Sequence, residues 1–213
     1  MIDTDSRTDD AIVYVVDDDD AMRDSLDWLL TPLGLAVRTF ASADAFLADH
    51  DPDRIACLVT DVRMPGLSGL ELHETLVRRG VAMPVIVITG HGDVPMAVRA
   101  MRTGALDFIE KPLNNQLLIE RIHEALRLAR SRRDGSRETD AIRTRLATLT
   151  AREREVAALV AAGKQNKAIA FDLGISLKTV EIHRHNAMEK MAATTGADLA
   201  RMLTLVGGLG VNP

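Results

Sequence analysis

The chain has 213 residues, 46% of them hydrophobic, so it can bury a substantial core and is long enough for two modest domains. A single cysteine, Cys57, excludes a disulfide framework within the chain and fits a reducing compartment. No apolar run is long enough to span a membrane, and the acidic start MIDTDSRTDD is not a signal peptide, so we expect a cytoplasmic protein without membrane partners.

Charge divides the chain into two unlike halves. Residues 1–128 carry 12 Lys and Arg against 22 Asp and Glu, a net charge of −10. Residues 129–213 carry 14 against 9, a net charge of +5. An acidic half joined to a basic half indicates two separate tasks, with any polyanion bound by the second half.

Short apolar segments rich in β-branched residues alternate with helical patterns in the first half. The clearest helical pattern is 114–130, where apolar residues recur on one face. Apolar strands that alternate with helices are typical of a parallel sheet covered on both faces, so we predict an α/β fold with a doubly wound, five-stranded parallel sheet. The predicted strands are residues 11–16, 35–40, 55–60, 84–89 and 106–109.

Polar side chains follow four of these strands, at the carboxyl ends where ligands of such sheets gather. Clustered carboxylates bind protons or a cation, and Mg²⁺ takes a few carboxylates together with waters and phosphate oxygens. A lysine ammonium and a threonine hydroxyl suit a phosphoryl oxygen. Because an aspartate can be a covalent nucleophile for phosphate, the set predicts a phosphoryl group on Asp61. Its members are Asp17, Asp18, Asp61, Thr89 and Lys111.

Taken one at a time, these residues have plainer explanations. The acidic run 17–20 is compatible with a solvated loop and a helix N-cap, which we prefer for Asp19 and Asp20. Thr89 alone fits a strand-end hydroxyl, and Lys111 alone fits a surface cation. Their joint occurrence, in order at predicted strand ends, favours the phosphoryl site.

Four segments carry a resemblance to a known family: VVDDDDAMR, VTDVRMPGLSG, VITGHGDVPMAV and DFIEKP. They resemble the receiver domain of bacterial two-component response regulators, most closely the FixJ type, over residues 11–128. The resemblance implies that Asp61 accepts phosphate from a sensor histidine kinase. It also implies that Mg²⁺ is bound directly by Asp18, Asp61 and the backbone carbonyl of Arg63, with Asp17 acting through water.

The same resemblance implies how phosphorylation is read out. Lys111 would pair with the phosphoryl group, and Thr89 would move to hydrogen-bond the same group. The Lys111–Pro112 peptide bond is expected to be cis, which would aim the lysine inward. Phe108 occupies the aromatic switch position. We hypothesise that the face built by residues 93–130 then repacks, that it masks or misplaces the basic half before phosphorylation, and that it forms a receiver dimer afterward.

The second half begins with a polar stretch and continues with helical patterns. SRRDGSRETD, within a linker at 129–145, either extends the preceding helix or forms a mobile tether. Thr150 and Glu153 form a capping-box pattern at the start of a helix that ends near Gly163. Two further helices, 166–174 and 177–191, flank a glycine turn, which predicts a helix-turn-helix, although another small helical bundle has the same pattern.

The longer of these helices is interpreted from its periodicity. Val180, His183, Ala187 and Met191 share a stripe that we expect to be buried. The opposite face would enter a major groove, while nearby cations hold phosphates. The predicted DNA contacts are Lys164, Lys167, Lys178, Thr179, Glu181, Ile182, Arg184 and His185.

LTAREREV, KQNKAIAFDLGIS and KTVEIHR resemble the LuxR-type DNA-binding domain over residues 146–206. Many family members have a lysine in place of Glu181 and a basic residue in place of His185. Glu181 is common in FixJ-type members and can accept a hydrogen bond from cytosine N4.

The last helix, 197–206, either packs against its own domain or, as the resemblance implies, forms a dimer contact. The candidate dimer face is Leu199, Met202, Leu203 and Val206.

The sequence therefore predicts a phosphorylation-activated transcriptional regulator that is not an enzyme. It would bind double-stranded promoter DNA as a homodimer and activate transcription, with RNA polymerase as a further partner. The predicted organisation is an N-terminal tail (1–10), a receiver domain (11–128), a linker (129–145) and an all-α helix-turn-helix domain (146–213).

Three alternatives remain open from the sequence. A phosphatase of the haloacid dehalogenase class would need a second acid two residues after its nucleophile, where this chain has Arg63; steady hydrolysis of a phosphomonoester would favour it. A regulator that ignores phosphate would not bind beryllofluoride. In the third alternative the basic half binds RNA or protein instead of DNA. Competition binding with duplex DNA at a defined salt concentration would distinguish it.

Overall fold

The computed structural model describes residues 11–90 and 94–208. The predicted tail at residues 1–10 lies outside the described residues. The chain divides into two compact units, Met1–Arg133 and Asp134–Pro213. None of the helices in the two described ranges is both long and apolar enough to cross a membrane.

The first unit contains a five-stranded sheet in the order β2-β1-β3-β4-β5. Every neighbouring pair of strands is parallel, which confirms the predicted α/β architecture. The strands begin and end within two residues of the predicted positions. Their bounds are β1 Ala11–Val16, β2 Ala36–Phe40, β3 Ile55–Asp61, β4 Val85–Thr89 and β5 Asp107–Glu110.

Helices cover both faces of this sheet because successive side chains of a strand point to opposite faces. Tyr14 of β1 and Phe46 belong to one apolar layer, and Val13 of β1 and Ile122 belong to the other. Cys57 is fully buried in the second layer, where burial raises the pKa of its thiol to about 12. The helices are α1 Asp20–Leu30, α2 Ala43–Asp49, α3 Gly69–Arg78, α4 Val94–Thr103 and α5 Asn115–Ala147, with a 3₁₀ turn at Thr31–Leu33.

Helix α5 continues through the stretch that the sequence suggested as a linker. Its 33 residues include Gly135, around which there is open space. Ile142, near its end, is 2% exposed and belongs to the core of the second unit. Of the two alternatives for the polar stretch at 131–140, the structure therefore shows the helical one.

The second unit is all-helical and contains the predicted helix-turn-helix pattern. Helix α7 ends at Gly174, whose φ of 62° is a left-handed conformation that glycine adopts readily. Ser176 then caps α8 by accepting the N–H of Thr179. The helices are α6 Ala151–Ala161, α7 Asn166–Leu173, α8 Leu177–Met191 and α9 Gly196–Leu205.

The core of this unit includes the apolar faces of α8 and α9. Val180, Ala187 and Met191 of α8 are buried as expected, and His183 is half-buried. The sequence left two alternatives for the apolar face of α9, packing within its own domain or a dimer contact, and this face lies inside the same core, over α6. Leu199, Met202 and Leu203 are at most 7% exposed, and Val206 packs against this core, so the structure shows the packing alternative for these side chains.

Glu153 joins three parts of the helical unit and is expected to stabilise it. Its carboxylate accepts the N–H of Thr150 at 2.8 Å and pairs with Lys190 of α8 at 2.6 Å, while the side chain is 5% exposed. The hydrogen bond from Lys190, followed by that from the Thr150 backbone, lowers the pKa of Glu153 to about 2. The ionised carboxylate is therefore the form that the fold prefers.

We expect Glu153→Gln to lower the free energy of unfolding at pH 7 by about 2 kcal/mol, which is a typical contribution of a charge-assisted hydrogen bond to stability. The lowered pKa means that this contribution is complete above the unfolded pKa near 4.5 and is lost as the pH falls toward 2. The difference between wild type and variant should therefore shrink between pH 5 and pH 3 in urea unfolding followed by circular dichroism. Glu155→Gln, an exposed change on the same helix, is the matched control and should stay within about 0.5 kcal/mol of wild type at every pH.

Candidate functional site

Three of the predicted residues meet at the carboxyl edge of the sheet. Lys111 follows β5, and its ammonium nitrogen lies 2.9 Å from Asp17 Oδ2, just after β1. The same nitrogen lies 2.7 Å from Asp61 Oδ1, at the end of β3. Thr89, at the end of β4, is fully buried, and its carbonyl accepts the N–H of Lys111 at 2.7 Å. Asp18, next to Asp17, is exposed.

Burial and charge compete in this cluster. Asp17 is 1% exposed and Asp61 is 6% exposed. Burial raises the pKa of Asp17 above its usual value, and the hydrogen bond from Lys111 opposes that rise. Burial disfavours the charge on Lys111, but its hydrogen bonds to Asp61 and Asp17 outweigh burial and raise the pKa of the amine. A charged ammonium group therefore bridges the two buried acids.

The turn after β3 fixes the backbone of Asp61. Asp61 Oδ2 accepts the N–H of Arg63 at 2.6 Å, and the N–H of Gly69 donates to the carbonyl of Val62 at 3.1 Å. Ser68 and Glu71 then form a full capping box at the start of α3. A Cβ at Gly69 would lie 2.0 Å from the carbonyl oxygen of Asp61, so only glycine fits this close approach.

The acidic loop after β1 is held by a residue that the sequence analysis did not single out. Asp19 caps α1 by accepting the N–H of Ala21, as predicted. Arg23 Nη1 donates to the carbonyl oxygen of Asp17 at 2.6 Å, and Nη2 pairs with Asp20. The signal that could have indicated this role is the spacing of Asp20 and Arg23, three residues apart on one helix face.

Oxygen donors of the kind that Mg²⁺ prefers converge here. One carboxylate oxygen of Asp17 and one of Asp61 lie within 3 Å of the same nitrogen, Lys111 Nζ. Across residues 11–90 and 94–208, no group of three or more His, Cys, Asp or Glu side chains is already arranged around a cation position. The carboxylate oxygens at this edge are donors of the type that suits a hard divalent cation.

The two predicted switch residues lie close to this cluster. Phe108, in β5, is half-buried and packs against the apolar layer that contains Phe46. It pairs with Val87 in the sheet, two residues before Thr89. The Lys111–Pro112 peptide bond is cis, as expected. The movement of Thr89 and Phe108 on phosphorylation stays a prediction.

Helix α4 presents an apolar stripe to solvent. Val94, Val98 and Met101 recur at helical spacing and are 76%, 42% and 50% exposed. On another side of the same helix, Arg99 pairs with Glu74 of α3 at 2.7 Å. The hydrogen bond from Arg99 lowers the pKa of Glu74. The stripe is thus an open surface on a helix that is tied to α3 at its other side.

Helix α8 presents most of the predicted DNA contacts to solvent. Lys178, Glu181 and His185 are exposed, and so is Ile182 at 52%. Thr179 is half-buried, and its hydroxyl hydrogen-bonds the Ser176 hydroxyl. The outer face of α8 therefore carries polar groups together with apolar Ile182, a mixture suited to a groove.

The predicted phosphate contacts around α7 differ from one another. Lys167 is exposed. Lys164 pairs with Asp172 at 2.7 Å, and half-buried Arg184 donates to Asn166 Oδ1 at 2.7 Å. Lys164 and Arg184 are thus already engaged within the unit, and their contact with phosphate stays a prediction.

Two family models match the chain, one in each half. The model described as "Response regulator receiver domain" matches residues 13–123. The model described as "Bacterial regulatory proteins, luxR family" matches residues 147–203. Both matches lie within the ranges where the sequence motifs predicted these domains.

Similar proteins match the chain over nearly its full length. The transcriptional regulatory protein FixJ of Azorhizobium caulinodans is 50% identical over 198 residues, which cover 92% of each chain. FixJ of Rhizobium meliloti is 49% identical and covers 94% of this chain and 98% of its own. The solved structure of the response regulator StyR is 42% identical, with a TM-score of 0.84 over 92% of this chain and 98% of that chain.

Proposed function

Because the chain belongs to the two-component response regulators that join a receiver domain to a LuxR-family DNA-binding domain, we propose that Asp61 is its phosphoacceptor. The protein is a transcriptional regulator of a two-component system. The observation that carries the assignment is the meeting of Lys111 with both Asp17 and Asp61 at one edge of the sheet.

The transfer itself is a substitution at phosphorus. A carboxylate oxygen of Asp61 attacks the phosphorus of a kinase phosphohistidine, a P–O bond forms, the P–N bond breaks, and the imidazole leaves with its electron pair and takes up a proton. The negative charge that develops on the phosphoryl oxygens faces Lys111. An ammonium group that is already in place stabilises that charge with little rearrangement.

Mg²⁺ would be held by Asp18, Asp61 and the carbonyl of Arg63, with Asp17 acting through water. The cation would supply positive charge that offsets repulsion between the carboxylates and the incoming phosphoryl group. The carboxylate of Asp17 accepts the N–H of Asp19 and a hydrogen bond from Lys111, which hold it at this edge of the sheet.

We infer that phosphorylation produces a receiver dimer through the stripe on α4. Val94, Val98 and Met101 form a surface of the kind that an isologous contact would bury in two copies. Thr89 and Phe108 would bias this face, since both lie on the strands beside it. A dimer then places two copies of α8 on the two halves of a symmetric duplex site. Because its target would be promoter DNA, we place the protein in the cytoplasm.

The test compares the full chain with and without a small phosphodonor in the presence of Mg²⁺. We expect the treated protein to elute as a dimer in size-exclusion chromatography. Its affinity for a duplex enriched from a random-sequence library should rise at least about tenfold, or about 1.4 kcal/mol. Omission of Mg²⁺, by addition of EDTA, is the control and should abolish both changes.

Other outcomes would select among the alternatives. Equal DNA affinity with and without the donor would indicate a regulator that ignores phosphate. Continuous release of phosphate from a phosphomonoester would indicate a phosphatase, and displacement of the duplex by RNA at the same salt concentration would reassign the helical unit.

A further inference from the structure

Arg23 lies beside the acidic pocket but has no part in the transfer described above. Its side chain is only 13% exposed, although it stands on the first turns of α1. Nη1 donates to the carbonyl oxygen of Asp17 at 2.6 Å, and Nη2 pairs with the carboxylate of Asp20. A guanidinium group in this position joins the end of β1 to the start of α1.

The contact matters because it completes the anchoring of Asp17. The N–H of Asp17 donates to the carbonyl of Phe40 at 3.2 Å, and its side chain accepts from the N–H of Asp19 and from Lys111. The remaining polar group, the carbonyl oxygen, is the one that Arg23 holds. Asp17 is 1% exposed, so loss of this donor would leave a buried carbonyl that must move to find another partner.

We propose that Arg23 is a positioning residue for the cation site, a role that rests on the proposed function of the receiver unit. By fixing the carbonyl oxygen of Asp17, it holds the carboxylate of Asp17 beside Lys111 and Asp61 and fixes the backbone from which Asp18 follows. Removal of a side chain that hydrogen-bonds and orients a metal ligand, without touching the metal, typically weakens metal binding by about 10–100-fold. A simple charge effect would have the opposite sign, because removal of a nearby cation would tighten the binding of Mg²⁺.

The direct test is a calorimetric titration of the full chain with Mg²⁺ alone. Arg23→Met should weaken Mg²⁺ binding about tenfold. Arg23→Lys keeps a charged donor for the Asp17 carbonyl and should restore most of the affinity. Arg121→Met is the matched control, since Arg121 also bridges two acids in the receiver unit, Asp107 and Glu124, and should bind Mg²⁺ as wild type does.

Urea unfolding with and without Mg²⁺ separates positioning from a purely structural role. If Arg23 is only structural, the variant loses the same free energy of unfolding with and without Mg²⁺. If Arg23 positions the cation site, the difference between wild type and variant grows when Mg²⁺ is present, because the wild type binds Mg²⁺ more tightly and gains more stability from it. If Arg23→Met does not fold, Arg23→Lys and Arg23→Gln are compared instead. The Arg23→Gln protein is then expected to bind Mg²⁺ more weakly than the Arg23→Lys protein.

Two results would overturn the inference. One is Mg²⁺ binding by Arg23→Met that equals or exceeds that of wild type, and the other is a stability loss that is the same in both conditions. Failure of the wild-type protein itself to bind Mg²⁺ would instead contradict the proposed function, so the two failures are distinguishable.

Discussion

Asp61→Asn is expected to reduce phosphoryl incorporation from a small phosphodonor to background. The amide has nearly the volume of the carboxylate, so the fold should persist, but it lacks the anionic oxygen that attacks phosphorus. Lys111 keeps its partner Asp17 in this variant, at 2.9 Å in the wild-type structure, so the pocket retains one ion pair. The measurement is mass spectrometry of the intact chain after incubation with acetyl phosphate and Mg²⁺, in which phosphorylation adds one phosphoryl mass.

Asp53→Asn, an exposed change outside the pocket, is the matched control and should be labelled like wild type. Treatment with hydroxylamine should remove the added mass from wild type, because an acyl phosphate is cleaved by this nucleophile. Wild-type labelling of Asp61→Asn would assign the phosphate to another residue. When the phosphodonor is added, the Asp61→Asn protein should keep the DNA affinity of untreated wild type.

Gly69→Ala is expected to destabilise the receiver unit by about 3 kcal/mol and to impair phosphorylation as well. The added Cβ would lie 2.0 Å from the carbonyl oxygen and 2.9 Å from the carbonyl carbon of Asp61, and 2.8 Å from Thr60 Oγ1. Two of these three neighbours are backbone atoms and cannot swing away as a flexible side chain could. Either the start of α3 or the backbone of Asp61 must therefore move.

Urea unfolding and phosphodonor labelling of the same protein measure the two effects. The control is Gly135→Ala, since the space around Gly135 is open and it lies inside a helix. That change should stabilise the chain by about 0.5–1 kcal/mol. A stable, normally labelled Gly69→Ala protein would show that the contact between α3 and Asp61 does not constrain the site.

The strand ends could be predicted because they follow from a topological rule. Once alternating strands and helices indicate a parallel sheet, the residues after the strands must share one edge. Asp17, Asp61 and Lys111 meet there in the structure. Arg23 could not be recognised in the same way, because its partner is a backbone carbonyl, and any residue type supplies one.

Periodicity identifies an apolar face but not what covers it. On α9 the face with Leu199 and Leu203 fits a dimer contact and a core equally well, and packing against α6 decides in favour of the core. A similar limit applies to Arg184, which is basic in a basic domain and yet donates to Asn166. The polar stretch around Gly135 is ambiguous for another reason, since its Arg and Glu residues favour helix in a segment that composition marks as a boundary.

Lys111 gives the acidic pocket a counter-ion that cannot diffuse away. Its ammonium group lies 2.9 Å from Asp17 and 2.7 Å from Asp61, so the chain partly neutralises these acids before any metal arrives. Folding should therefore not depend on a dissolved ion, in contrast to domains that unfold under chelation. Under the proposed function, a divalent cation would compete with this tethered ammonium for the same carboxylate oxygens.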